Sequence, residues 1–176
     1  MKIRVGVSNR HIHLCKSDAD ILFGSDYIFQ KRNEYACMET VRVWTNKGEF
    51  SHVRVIGPLR EYTQVEVSED DARVLGINPP MRNSGMLQDS ESVWVGGPNG
   101  EKFIKNCCIK ANRHIHCNTL DNIGHNNRDI VKVKFNDIII DNVHIKMGDK
   151  YKLEMHIDKS DAEKYGIENG DYIELE

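Results

Sequence analysis

Paired histidines are the first residues of this sequence whose type and spacing suggest chemistry. SNRHIHLC contains His11 and His13, and ANRHIHC contains His114 and His116. Residues at i and i+2 of an extended chain face the same side, about 6.6 Å apart along the strand, so two imidazoles can converge on one metal ion. A single pair is more often a polar strand face that meets solvent. The near-identical duplication is hard to explain in that way and favours metal binding.

A third ligand is needed for a zinc site, and an internal repeat supplies one for each pair. VEVSEDDARVLGI, from residue 65, matches MHIDKSDAEKYGI, from residue 155, and places Glu66 opposite His156. Without this alignment, Glu66 is equally well explained as a solvated carboxylate. Three protein ligands and one open position are typical of catalytic zinc. The predicted ligands are His11, His13 and Glu66 for one ion, and His114, His116 and His156 for the other.

Basic residues near these motifs predict that an anion binds beside the metals. Arg60 enters the strand of Glu66 from a Gly-Pro turn, and Arg82 and Ser84 lie in the connection between the two copies. Arg10 and Arg113 directly precede the paired histidines. A guanidinium binds phosphate through two parallel hydrogen bonds, so an open dimetal site ringed by arginines suits a phosphate-like oxyanion. Each arginine alone is more often a surface charge or the partner of a carboxylate.

The segments that must position these residues are mostly strands. VRVWT, HVRVIG and TQVEV alternate in the first copy, as do VKVKF, VHIKM and YKLEMHI in the second. Ser68 and Asp158 are expected to cap short helices that end at Gly76 and Gly166. A third short helix is expected over KSDADILFG, and a hairpin over SVWVGGPNGEKFI. The predicted fold is mainly β: two small β-barrel domains related by an internal repeat, each capped by short helices.

The domain division expected from the repeat assigns residues 1–82 to the first barrel. Residues 83–176 then contain the connecting hairpin and the second barrel. Two copies are too few for a solenoid.

Composition limits the classes of function. Hydrophobic residues make up 39% of the chain and charged residues 29%, and the net charge is −3. Such a chain has no overall basic field to recruit nucleic acid, and no apolar run long enough to span a membrane. Five cysteines without a C-x-x-C pair predict reduced thiols. Cys15 and Cys117 adjoin the histidine pairs but do not share a repeat position, so buried thiols are a simpler interpretation than metal ligands.

Several motifs together resemble one known family. VGVSNRHIHL, VRVIGPLREYTQVEVSEDDARVLGI, RNSG, ANRHIH and LEMHID occur here in the order found in PduL-type phosphotransacylases, also called phosphate propanoyltransferases. The resemblance covers nearly the whole chain and implies two β-barrels with helical caps and a two-zinc site between them. It also implies the same six metal ligands as the repeat, and Arg60 as the phosphate-binding arginine.

The activity implied by the resemblance is the reversible conversion of a short-chain acyl-CoA and phosphate to an acyl phosphate and CoA. Family members in bacterial microcompartments usually carry an N-terminal extension. The first motif here begins within eight residues of Met1, so a cytoplasmic enzyme is expected. Assembly into homo-oligomers stays open.

Two other functions remain compatible with the residues. A dinuclear zinc hydrolase of a thioester or phosphate ester can use the same ligands to activate water. A non-catalytic module stabilised by zinc is the second, although structural zinc usually has four protein ligands.

Overall fold

The computed structural model describes residues 1–176, and strands account for most of the regular structure. The strands are β1 Lys2–Ser8, β2 His11–His13, β3 Ala36–Trp44, β4 Glu49–Ile56, β5 Gln64–Glu66, β6 Met81–Arg82, β7 Glu91–Gly96, β8 Glu101–Ala111, β9 His114–Cys117, β10 Ile130–Phe135, β11 Ile138–Met147, β12 Glu154–Asp158 and β13 Tyr172–Leu175. The helices are α1 Lys16–Phe23, α2 Glu69–Leu75 and α3 Lys159–Tyr165, with a 3-10 turn at Thr119–Asp121. The chain is therefore mainly β, with short helices, as predicted.

The first compact unit is formed by Arg10–Ala111 and is called the central unit. Its strands lie in the order β5-β2-β4-β3-β7-β8, and pairing of β5 with β8 closes this order into a six-stranded barrel. Strand β6 adds to the outer side of β8. Alternate side chains of these strands fill the interior, including the fully buried Ile12, Val65 and Cys108.

The second compact unit is formed by Met1–Asn9 with Asn112–Glu176 and is called the terminal unit. It is a closed barrel with the strand order β1-β12-β9-β11-β10-β13. Ile3, Ile115, Met155 and Ile173 are among the side chains buried in its core. The prediction of two barrels is confirmed.

The strand before each histidine pair completes the barrel of the other repeat. Strand β1 leads into the first pair but is paired with β12 and β13 of the terminal unit. Strand β8 leads into the second pair but is paired with β5 and β7 of the central unit. The observed units therefore do not coincide with the division at residues 82 and 83, because this exchange and the β7–β8 hairpin cross it.

The helix ends follow the predicted capping residues. Ser68 accepts a hydrogen bond from the backbone N–H of Asp71, and Asp158 accepts one from that of Asp161. Gly76 and Gly166 end their helices in the left-handed conformation that glycine tolerates best. No helix of the chain has the length and apolar character of a membrane span.

Candidate metal and phosphate sites

The central unit brings His11, His13 and Glu66 together on two neighbouring strands. In the antiparallel pairing of β2 with β5, His11 lies directly opposite Glu66. The carboxylate oxygens of Glu66 lie 3.1 Å from Nε2 of His11 and 3.5 Å from Nε2 of His13. The potential ligand atoms of the three residues all lie within 4.8 Å of one another, as a single metal ion requires. These residues are called the central triad.

The environment of the central triad favours a charged carboxylate beside neutral imidazole. Burial raises the pKa of Glu66, but His11 and His13 outweigh this effect and hold the pKa well below its ordinary value. Burial lowers the pKa of His13, although Glu66 opposes the shift. Ionised carboxylate and neutral imidazole are the forms that bind zinc.

The side chain of His13 also has unused capacity to bind a partner. Its Nδ1 atom is buried and makes no hydrogen bond. Buried polar atoms of this kind are uncommon and call for a bound group. Two imidazoles and one carboxylate are an established donor set for zinc, so the residues present fit this ion.

Arg60 and Ser84 are joined to the central triad by hydrogen bonds. Nη1 of Arg60 donates to Oγ of Ser84 over 2.9 Å. The side-chain amide of Gln64 contacts the same Oγ at 3.1 Å and donates to Oε1 of Glu66 over 2.6 Å. A cationic group that can bind an anion is thereby connected to a predicted metal ligand.

Arg82 has different contacts from those predicted for a substrate-binding residue. Its guanidinium donates to the backbone carbonyl oxygens of Met86 and Gln88, at 3.2 Å and 3.0 Å. These bonds hold the loop that follows β6. The loop also carries Ser84, so Arg82 supports the position of a residue that contacts Arg60.

The terminal unit brings His114, His116 and His156 together in the corresponding strands. His156 lies directly opposite His114 in the pairing of β12 with β9, as Glu66 lies opposite His11. The ring centroids are 4.6 Å, 4.8 Å and 5.2 Å apart. These residues are called the terminal triad. The repeat alignment that selected both third ligands is confirmed by this shared register.

The two triads differ in how their donor atoms are directed. In the terminal triad, the rings of His114 and His156 are stacked at 6°, so their nitrogens do not converge on one point. Nδ1 of His114 lies 2.8 Å from the carbonyl oxygen of Asn112, which as hydrogen-bond acceptor would leave Nε2 available to a metal. The central triad is the one group of three or more His, Cys, Asp or Glu residues whose ligand atoms all meet the spacing for a metal.

The arginines before the histidine pairs serve carboxylates in this structure. Arg10 pairs with Asp71 at 3.0 Å, and Arg113 forms a two-pronged pair with Asp161. Both carboxylates lie in the first turns of helices, at equivalent positions of the repeat. The predicted ring of phosphate-binding arginines is therefore wrong for these two residues, because each guanidinium already has a carboxylate partner.

The cysteines are all free thiols, as predicted. Cys117 is buried, and burial raises its pKa. The sulfur of Cys15 contacts the hydroxyl groups of Ser17 and Thr63. Neither cysteine belongs to a group with metal-ligand spacing.

Gln64 is the functional candidate that the sequence interpretation missed. The signal was present, because Gln64 and Glu66 are two residues apart in the alternating segment TQVEV and so share a face of the strand. A glutamine without charge is easily assigned to a solvent-facing position. In the structure it is fully buried beside the central triad.

Comparison with known proteins finds relatives that align with nearly the whole chain. A family model described as phosphate propanoyltransferase matches residues 4–170. The chain is 39% identical to the phosphate propanoyltransferase of Thermotoga maritima, with 97% of this chain and 87% of the relative aligned. It is 38% identical to that of Citrobacter freundii, with 95% and 85% aligned. Identity to that of Sebaldella termitidis is 39%, with 94% and 84% aligned.

Proposed function

The chain belongs to the phosphate propanoyltransferase family, and from this premise we propose that it converts an acyl-CoA and phosphate to an acyl phosphate and CoA with two bound zinc ions. The proposed acyl groups are acetyl and propanoyl. The observation that carries this proposal is the central triad, whose ligand atoms lie within 4.8 Å of one another and whose Glu66 is linked to Arg60 by hydrogen bonds.

Each triad is proposed to hold one ion. His11, His13 and Glu66 supply two imidazoles and a carboxylate, and the terminal triad supplies three imidazoles. Three ligands leave an open position for a substrate atom. When bound, zinc can polarise a thioester carbonyl and stabilise a thiolate.

The proposed reaction is direct transfer between the two substrates. A phosphate oxygen attacks the thioester carbonyl carbon, the new C–O bond forms, and the C–S bond breaks with its electron pair left on the sulfur of CoA. Arg60 binds and orients the phosphate for this attack and offsets its negative charge. Ser84 holds the guanidinium through the bond to Nη1.

The state of the thiols supports a reaction without an acyl-cysteine intermediate. Burial raises the pKa of Cys107 to about 12 and raises those of Cys37, Cys108 and Cys117. A thiol with a raised pKa is a poor nucleophile at neutral pH, because the thiolate is the reactive form.

The test is a metal count and an assay on the same sample. Elemental analysis of freshly purified chain should give two zinc-class ions, and CoA release from acetyl-CoA should require phosphate. His114→Ala should remove one ion and nearly all activity. The matched control is His52→Ala, at an exposed residue whose Nδ1 contacts only Thr40 among the bonds observed here, and this variant should change neither value.

Two results would count against the proposal. CoA release with water alone, independent of phosphate, would favour a dinuclear zinc hydrolase of a thioester or phosphate ester. Two ions that cannot be removed without unfolding the chain, together with no turnover of any acyl-CoA, would favour a non-catalytic zinc-stabilised binding module. At most one ion per chain would overturn the two-zinc site.

A further inference from the structure

Gln64 is a buried polar residue whose place in the fold is better suited to a site than to a core. It lies on β5 directly opposite His13, and its accessible surface is 0%. Burying a side-chain amide is unfavourable unless its donors and acceptor are satisfied. The hydrogen bonds of Gln64 therefore indicate why it is there.

The orientation of the Gln64 amide is fixed by its neighbours. The backbone N–H of Gly85 can only donate, and it lies 2.8 Å from Oε1 of Gln64. The carboxylate of Glu66 accepts, and its Oε1 lies 2.6 Å from Nε2 of Gln64. Both contacts require the same assignment of the amide oxygen and nitrogen, so a flipped amide would lose both.

The same amide reaches the phosphate-binding arginine through one hydroxyl. Oγ of Ser84 lies 3.1 Å from Nε2 of Gln64 and accepts from Nη1 of Arg60 over 2.9 Å. The series Arg60, Ser84, Gln64 and Glu66 therefore joins the guanidinium to a ligand of the central triad. Movement of the amide would disturb both ends.

The second repeat carries a matching but opposite pair. Glu154 occupies the position of Gln64, since it lies opposite His116 as Gln64 lies opposite His13. Its Oε2 lies 3.4 Å from Nε2 of His156. A donor thus stands beside the carboxylate ligand, and an acceptor stands beside the imidazole ligand. This complementarity shows that the position serves the third ligand in each repeat.

We propose that Gln64 is a positioning residue that sets the carboxylate of Glu66 for metal binding and, through Ser84, sets Arg60 for phosphate. This inference rests on the proposed function. Gln64 touches no reacting atom in this scheme. It acts by restricting the carboxylate and the guanidinium to one mutual arrangement.

The first test measures metal binding without turnover. In a His114→Ala background only the central triad remains, and zinc affinity is measured by competition with a chelator. Gln64→Met, which keeps the length but removes the hydrogen bonds, should weaken zinc by about 10–100-fold, the usual effect of losing a partner of a metal ligand. Gln88→Met is the matched control at an exposed glutamine and should leave the affinity unchanged.

The second test separates the two ends of the series. In the otherwise unaltered chain, Ser84→Ala should keep both ions, raise the KM for phosphate about tenfold, and leave the KM for acyl-CoA unchanged. Ser84→Thr retains the hydroxyl and should restore the phosphate KM. A purely structural role would lower Tm without this division between the two KM values.

The outcomes distinguish this inference from the proposed function. Unchanged zinc affinity in folded Gln64→Met, or an unchanged phosphate KM in Ser84→Ala, would overturn the role of Gln64. If Gln64→Met does not fold, the Ser84 variants decide. A parent chain that binds zinc but shows no phosphate-dependent turnover would overturn the proposed function, and the chelator titration would still decide whether Gln64 sets the metal ligand.

Discussion

The two triads share a register but differ in one ligand, and this difference has chemical consequences. Glu66 and His156 occupy equivalent places opposite His11 and His114. With zinc bound, a carboxylate ligand would reduce the formal charge of the central site to +1, whereas three neutral imidazoles would leave +2 at the terminal site. The terminal ion is then the stronger Lewis acid and the better partner for a thiolate.

Replacing Arg60 tests the phosphate site. Arg60→Ala should raise the KM for phosphate by about tenfold to a hundredfold, because a charge-assisted contact is lost, and should affect the KM for acyl-CoA far less. Steady-state kinetics with each substrate varied in turn measure this. Arg73→Ala, at an exposed arginine paired with Asp70, is the control. Unchanged phosphate dependence would place the anion elsewhere.

Exchanging the third ligand tests the unequal roles of the two sites. Glu66→His should retain both ions, because three imidazoles are a sound zinc set, yet most of the turnover should be lost. Zinc content and kcat are measured on one preparation. A variant as fast as the parent would show that the carboxylate is not needed for a division of roles.

At this scale, the ligands could be predicted and their neighbours could not. The duplicated H-x-H motif and the aligned Glu66 and His156 follow from spacing alone. The partners of Arg10 and Arg113 depend on which helix packs beside each strand, and local sequence does not state this. An arginine near a histidine pair is compatible with phosphate or with a carboxylate until Asp71 and Asp161 are placed.

At the scale of elements, each histidine pair is attached to the start of a short helix. Arg113, next to His114, forms two hydrogen bonds with Asp161 in the first turn of α3. The side chains of Arg113 and Asp161 are only 12% and 16% exposed, so solvent screens this pair weakly. The helix thereby restrains the chain at the point where it enters β9.

Removing this attachment should be costly for stability. Asp161→Ala should lower the free energy of unfolding by about 1.5–3 kcal/mol, the range for hydrogen bonds to charged groups. Asp70→Ala breaks a pair whose side chains are 69% and 57% exposed, and should cost less than about 1 kcal/mol. Urea unfolding of both variants is the measurement. Equal effects would mean that burial does not strengthen the Arg113 pair.

The elements themselves were largely predictable, whereas their assignment to barrels was not. Capping residues, αL glycines and period-two alternation act within a few residues, so Ser68, Asp158 and the β7–β8 hairpin could be identified from sequence. Membership of a barrel depends on pairing between distant strands. The alternation of β1 fits either barrel, and only the pairing with β12 and β13 places it in the terminal unit.

At the scale of the whole molecule, the terminal unit depends on a strand from the far end of the chain. Ile3 on β1 is 1% exposed and lies opposite Ile173 on β13. Ile3→Ala should destabilise by about 2–5 kcal/mol through lost burial and the cavity it leaves. Hydrogen exchange should quicken in β12 and β13 more than in β3 and β4.

The exposed Lys2 provides the control for this variant. Lys2→Ala should leave the exchange rates of both units close to those of the parent. Equal acceleration throughout the chain in Ile3→Ala would contradict the assignment of β1 to the terminal unit alone.

The exchanged strand also fixes an order of events on the ribosome. Arg4 is synthesised 150 residues before its partner Glu154. At about 5–20 residues per second, β1 waits about 7–30 s for the strands that complete its barrel. Its unpaired backbone edge is open to other nascent chains during that interval, and Lys2 and Arg4 provide the charge that opposes such pairing. The proposed terminal metal site can thus form only after nearly the whole chain has been made.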